Sequence, residues 1–230
     1  MIKRATVIGI IFLSVFLGCD KSTEVTSGDD PKQQVNTTLP PSEEKLSQSE
    51  NQVSSSSTFE PFYIFSDKGS RLNHFVSSGF MPNGKCLSLD DTWVENCYAG
   101  KNCIKITYDI DCSTKDLKWA GIYWLNPADN WGKQKGGFNL TSAQKLTFWA
   151  RGEKGGEQIQ EFKVGGITGD YPDSDTAVIG PVILTVEWKQ YTIDLRGKDL
   201  SYISGGFAWA TNVDVNPQSC TFYLDEIKFE

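Results

Sequence analysis

The sequence predicts an all-β domain, an antiparallel β-sandwich or jelly roll, set behind a signal peptide and a disordered linker. Three observations predict it. The composition of the 230-residue chain changes abruptly at Phe59: all seven Trp, all eight Tyr and eleven of thirteen Phe lie from there onward. Short β-rich runs then recur between Gly, Pro, Asn and Asp. Several of these runs alternate apolar and polar residues, and helical periodicity is nearly absent.

The amino terminus reads as an address. Lys3 and Arg4 form a positive start, Val7 to Leu17 is an apolar run too short to span a bilayer, and Gly18-Cys19 closes it. Residues 1–18 resemble a bacterial lipoprotein signal peptide. The resemblance implies that Cys19 is acylated and becomes the first residue of the mature protein. Acyl chains contribute about 0.8 kcal/mol per buried CH₂, so palmitate-type chains on Cys19 would hold the protein on a membrane. The alternative is an ordinary signal peptide with an incidental cysteine. Loss of residues 1–18 removes Lys3 and Arg4 and takes the net charge from −7 to −9. Asp20 is compatible with inner-membrane retention in some bacteria and with surface export in others. The expected location is the cell envelope, at the outer membrane or cell surface.

Residues 19–58 form the second segment. Asp20 to Thr58 holds no aromatic residue, is rich in Ser, Thr, Gln, Asp and Glu, and ends in four serines. Such a stretch cannot bury enough apolar area to offset its ordering entropy. It is expected to be a flexible tether averaging roughly 35 Å end to end.

Residues 59–230 are expected to make one domain with a sizeable core. The clearest strand candidates are Phe62–Phe65, Cys103–Ile110, Ala120–Trp124, Lys145–Arg151, Glu161–Val164, Val182–Leu184, Lys189–Leu195, Gly206–Thr211 and Thr221–Phe229. Ile104, Ile106, Tyr108 and Ile110 share one parity, as do Tyr191, Ile193 and Leu195. Such alternation means one buried face and one wetted face.

Composition also excludes functions. The acidic balance argues against nucleic acid, which demands clustered Lys or Arg. His74 is the one histidine, which excludes a His-clustered metal site and argues against a Ser-His-Asp triad. With Cys19 set aside, Cys86, Cys97, Cys103, Cys112 and Cys220 are an odd number. Export favours oxidised pairs, at least one cysteine is free or paired with another chain, and spacing does not fix the connectivity.

Four segments carry candidate chemistry. Trp119 to Trp124 leads into a polar loop bearing Trp131, so Trp119, Trp124 and Trp131 are candidates for stacking against a sugar. An indole offers a flat apolar face, and neighbouring amides and carboxylates can satisfy hydroxyls. The competing reading puts Trp119 and Trp124 in the core. In Leu146 to Gly152, parity turns Leu146, Phe148 and Ala150 inward and Thr147, Trp149 and Arg151 outward. Trp149 beside Arg151 makes a stacking surface with a donor fork; alternatively Arg151 pairs with Glu153 or Glu161. The Gly- and Asp-rich run from Gly165 to Thr176 offers Asp173 and Asp175 to sugar hydroxyls or to Ca²⁺, or is an exposed acidic loop. Asp225 stands in the apolar run Phe222 to Phe229 and must be paired or metal-bound, because an unpaired buried charge is very costly.

The strands Thr221 to Ile227, Leu146 to Gly152 and Glu187 to Leu195 together resemble galactose-binding-like jelly rolls, the fold of many bacterial carbohydrate-binding modules. The resemblance spans Phe59–Glu230. It implies a structural Ca²⁺ held by Asp225, with Asp67 from the first-strand region as a further ligand. It transfers no sugar-binding residue. No carboxylate pair stands in a recognisable hydrolase spacing, and a lone histidine is more often structural than catalytic. The expectation is a membrane-tethered, noncatalytic, monomeric polysaccharide-binding protein. A small lyase or hydrolase, or a protein-binding envelope scaffold, are the alternatives.

Overall fold

A computed structural model of the protein describes residues 59–82, 84–112 and 118–230. Residues 1–58, where a signal peptide, acylated Cys19 and a tether are expected, lie outside the described residues. Two antiparallel sheets make the domain. Sheet I contains β1 (Phe62–Phe65), β3 (Leu87–Trp93), β4 (Cys103–Tyr108), β6 (Lys145–Gly152), β11 (Lys189–Asp194) and β13 (Cys220–Phe229). Its order is β11-β6-β13-β4-β3, and β1 pairs with the last residues of β13 beyond β4. Sheet II runs β2 (Val76–Met81), β5 (Trp119–Leu125), β12 (Gly205–Asn212), β8 (Glu161–Gly165) and β9 (Thr176–Ile179). The short strands β7 (Gln158–Ile159) and β10 (Val182–Ile183) pair separately. The result is a jelly-roll β-sandwich.

Alternation decides which residues lie between the sheets. Ile104, Ile106, Phe148, Phe222 and Leu224 come from sheet I, and Ile122, Trp124, Phe162, Phe207 and Trp209 from sheet II. Phe148 meets Phe162 at a centroid distance of 4.6 Å and Phe207 at 5.1 Å. Trp209 stands edge-on to Phe222 at 4.8 Å. Each such ring contributes roughly 1.5–3 kcal/mol by leaving water.

A bulge interrupts the last strand. β13 pairs with β6 in register from Phe222 to Asp225, then shifts before Lys228. Glu226 takes a φ of 48°, the left-handed conformation of an extra residue in a bulged strand. Phe222 and Leu224 point into the core, and the shift lets Ile227 and Phe229 do the same. Asp225, ahead of the bulge, alternates with Phe222 and Leu224 and faces outward with Tyr223.

Two disulfides form, Cys86–Cys112 and Cys97–Cys103, and buried Cys220 is the cysteine left over. The strand expected to run to Ile110 stops at Tyr108, because Ile110–Cys112 turns as a 3₁₀ helix. His74 stacks on Phe62 at 3.9 Å and meets Phe138 edge-on at 5.5 Å, and burial lowers its pKa.

Candidate functional site

The outer face of sheet I carries a row built by strand register. Lys105 on β4 stands opposite Tyr223 on β13, which stands opposite Arg151 on β6. All three alternate with core residues, so all three face away from the sandwich. The Arg151 guanidinium lies 3.7 Å from the Tyr223 ring centroid and 5.4 Å from that of Trp188. The Lys105 ammonium lies 3.8 Å over Trp93 and 5.8 Å from Tyr223. Cations and rings thus interleave across three strands.

An open cavity of about 320 Å³ sits on this row. Trp93 and Tyr223 give it aromatic walls, Arg151 and Lys105 its cations, and Glu95, Asn96 and Glu153 further polar groups. The Tyr223 hydroxyl bonds the Glu153 carboxylate. Burial, with that carboxylate beside it, pushes the Tyr223 hydroxyl up to about 12. Arg151 is 8% exposed, and its Nε has no hydrogen-bond partner. Nη1 donates to the Gly152 carbonyl at 3.4 Å, and the guanidinium also hydrogen-bonds the Tyr223 hydroxyl.

The next row holds Trp149 opposite Asp225, roofed by the loop between β3 and β4. Tyr98 of that loop stacks on Trp149 at 3.6 Å and 14°. Both candidate calcium ligands hold the loop by its backbone. Asp225 Oδ2 accepts from the amides of Tyr98 and Ala99, each at 3.0 Å, and Oδ1 accepts from Glu226 at 2.9 Å. Asp67 Oδ1 accepts from Lys101 and Asn102, each at 2.8 Å. The Cys97–Cys103 bridge closes the same loop. It is hung on four backbone amides and one covalent staple, which sets Asn96 beside Trp93 and Tyr98 on Trp149.

This arrangement does not fit the calcium expectation. N–H groups converge on each carboxylate, whereas a hard cation needs converging oxygens. Among the described residues no group of three or more His, Cys, Asp or Glu side chains is arranged to hold a metal. Asp225 is fully buried, and burial pushes it up to about 7 against the downward pull of its amide donors.

The other candidates fall elsewhere. Trp124 is 2% exposed and packs edge-on against Phe207 at 5.5 Å inside the sandwich, so it offers no face to a ligand. Even parity in β5 is core parity, and the sugar-stacking expectation for Trp124 is corrected accordingly. Trp119 is 41% exposed on the opposite parity, the outer side of sheet II. Trp131 is 37% exposed and stands edge-on to Tyr123 at 5.8 Å. It lies across Gly79, where a Cβ would come within 3.0 Å of its ring and 2.8 Å of Tyr123 Cβ. Trp119 and Trp131 therefore belong to sheet II, and Trp149 and Arg151 to sheet I; they do not form one platform. Asp173 accepts from the amides of Ile167 at 3.0 Å and Ser204 at 2.5 Å, and from the Ser204 hydroxyl at 2.7 Å. Asp175 accepts from the Thr176 amide at 2.6 Å and pairs with Lys198 at 3.3 Å. These two carboxylates organise the Gly165 to Thr176 loop. Neither Glu153 nor Glu161 forms an ion pair with Arg151 among the described residues.

Sequence reasoning missed Trp93, Lys105 and Tyr223. The signal for two of them was present: Lys105 sits between Ile104 and Ile106, and Tyr223 between Phe222 and Leu224, so both occupy the wetted parity. Trp93 gave none, because its strand is polar.

Fold and site together define a jelly-roll β-sandwich with an aromatic and cationic cavity on the outer face of one sheet. No protein-family model matches the chain, and no curated protein matches it. Among solved structures it is similar to the family 30 carbohydrate-binding module of a cellulosomal cellulase from Clostridium thermocellum, with 18% identity over 75% of this chain and 98% of that one and a TM-score of 0.46. It is also similar to a family 11 module of a Clostridium thermocellum cellulosomal cellulase, with 16% identity over 62% of this chain and 79% of that one and a TM-score of 0.40. A mutant family 29 carbohydrate-binding module gives 12% identity over 75% of this chain and 92% of that one, with a TM-score of 0.43.

Proposed function

We propose that the domain binds carbohydrate without transforming it, through the cavity on the outer face of sheet I. One observation carries the proposal: Trp93 and Tyr223 line an open cavity together with the hydrogen-bonding groups of Asn96, Glu153, Lys105 and Arg151. Apolar ring beside polar side chain is the pairing a sugar needs, since its ring presents C–H bonds and its edge hydroxyls. Noncatalytic binding is favoured because the groups a reaction needs are engaged otherwise. The Tyr223 hydroxyl is bonded to Glu153 and titrates near 12, far above a base working at neutral pH. The His74 ring is packed between Phe62 and Phe138.

The test is affinity electrophoresis of the 59–230 fragment through gels holding a broad panel of polysaccharides. Retention by at least one glycan, weakened by Trp93→Ala with an unchanged melting temperature, is the expected result. Free migration through the whole panel refutes the proposal.

We further propose that acylated Cys19 and the 19–58 tether hold the domain on the cell envelope. Among the described residues no helix is long and apolar enough to cross a membrane, so this reading rests on residues 1–19 alone. Labelling with a palmitate analogue that is lost in Cys19→Ala supports it. Equal labelling of both proteins, or none, overturns it.

A further inference from the structure

We infer that the ligand of this cavity is an acidic sugar, one bearing a carboxylate, and that Arg151 and Lys105 read its charge. This inference rests on the carbohydrate-binding reading and narrows it.

The state of Arg151 points to it. Its side chain is more than nine-tenths buried, yet Nε donates to nothing, Nη1 reaches a backbone carbonyl only at 3.4 Å, and its other partner is the Tyr223 hydroxyl, a neutral acceptor. A buried guanidinium with an idle donor is costly unless something supplies an acceptor. No carboxylate among the described residues lies within ion-pair distance of Arg151 or Lys105. Glu153, the nearest candidate by sequence, is committed to the Tyr223 hydroxyl, and Glu95 is exposed. Both cations instead rest on aromatic faces, 3.7 and 3.8 Å from ring centroids. Stacking holds a cation in place while leaving its N–H edge free to donate. Arg151 lines the cavity beside Lys105, and a planar guanidinium there matches a carboxylate's two oxygens. The chain's net charge of −7 does not oppose this. Charges more than about 8 Å away are screened at physiological salt; within the cavity Glu153 is bonded to Tyr223 and Glu95 is exposed to water, while Arg151 and Lys105 have no ion pair among the described residues.

The two cations share one ring, Tyr223, which also sets their separation. A ligand carboxylate can take Arg151's fork and have Lys105 as a second, point-like neighbour. A neutral sugar brings no charge to either, and leaves Lys105 only Asp90, its neighbour across β3.

The experiment measures retention of the 59–230 fragment on polygalacturonate, on the same polymer with its carboxylates methyl-esterified, on a neutral β-glucan and on dextran sulfate. Wild type should bind polygalacturonate at least tenfold more tightly than the ester, the span expected for one charge-assisted hydrogen bond. Arg151→Met and Lys105→Met should each erase most of that difference. Lys105→Met, the half-buried position, keeps the test open if Arg151→Met melts early. Retention of wild type on neutral glucan or ester as strong as on polygalacturonate overturns the acidic-sugar inference and leaves carbohydrate binding standing. Equal retention on dextran sulfate overturns carboxylate recognition in favour of nonspecific charge. No retention on any of the four, or on the wider panel, removes both.

Discussion

Asp225→Asn tests how the site's roof is held. In the wild type one carboxylate receives three backbone N–H groups, two from the roof loop and one from the bulge. An asparagine oxygen can keep the Tyr98 and Ala99 amides, but its own NH₂ then meets the Glu226 N–H. One buried donor is orphaned, at about 1–3 kcal/mol. The pH dependence carries the sharper information. Burial raises Asp225 from 3.8 in the open chain to about 7, so between those values the folded protein holds a proton that the unfolded chain releases. Its contribution to stability is therefore fully present below about pH 4 and is lost as pH rises toward 7. At about 1.4 kcal/mol per unit, the swing is on the order of 4 kcal/mol. Asparagine does not titrate. The advantage of wild type over Asp225→Asn should widen between pH 7.5 and pH 4, by roughly 10 °C in melting temperature for a domain of this size. Differential scanning calorimetry of both proteins at matched ionic strength reads it, with other carboxylates cancelling in the difference. EDTA at pH 7.5 should move neither melting curve. A gap that narrows on acidification would mean that the carboxylate is held charged, by its amides or by a cation. A fall in the wild-type melting temperature on chelation, absent in the variant, would identify the cation.

Three further outcomes follow from burial and loop geometry. Cys220 is pushed up to about 12 by burial, with Glu157 adding to it, so iodoacetamide at pH 8 should modify it only after denaturation; rapid labelling of native protein would contradict its burial. The pair Cys97→Ser and Cys103→Ser opens a short loop and should cost about 2 kcal/mol, and it should weaken glycan retention through loss of the roof. Retention unchanged in that variant would detach the roof from binding. Trp124→Ala should destabilise by about 3–5 kcal/mol, as a core indole does, whereas Trp131→Ala should cost far less; equal losses by chemical denaturation would contradict their different burial.

What was legible in the sequence tracks how strongly each strand is buried. β6 and β12, which have neighbours on both sides, read as apolar runs and were found nearly to their ends. The longer strands that were missed, β2, β3 and β9, are all sheet edges. Val76-Ser-Ser-Gly-Phe-Met and Leu87-Ser-Leu-Asp-Asp-Thr-Trp carry the polar residues an edge tolerates, because one side of the strand is not covered. Parity worked within a strand, which is why Arg151 and Trp149 were turned outward correctly. It failed wherever two strands had to be aligned. That Lys105, Tyr223 and Arg151 form one row depends on registers between residues more than forty positions apart, and no local pattern encodes them.

Asp225 shows the same limit from the other side. A carboxylate in an apolar strand demands a partner, and chemistry alone admits a cation, an arginine or a set of amides. Strand register decides among them, because Asp225 shares the outward parity of Tyr223 and lies under the loop closed by Cys97 and Cys103, while the bulge at Glu226 returns Ile227 and Phe229 to the core. Once that loop lies across β13, its amides are the nearest donors, and Asp67 extends the same solution to Lys101 and Asn102. Rigidity of the roof thus comes from two carboxylates and a disulfide on elements that also carry Trp93 and Tyr223. A ligand entering the cavity meets walls already in place, so little ordering entropy is left to oppose binding. Loosening any one of the three fixings should therefore lower affinity before it unfolds the sandwich.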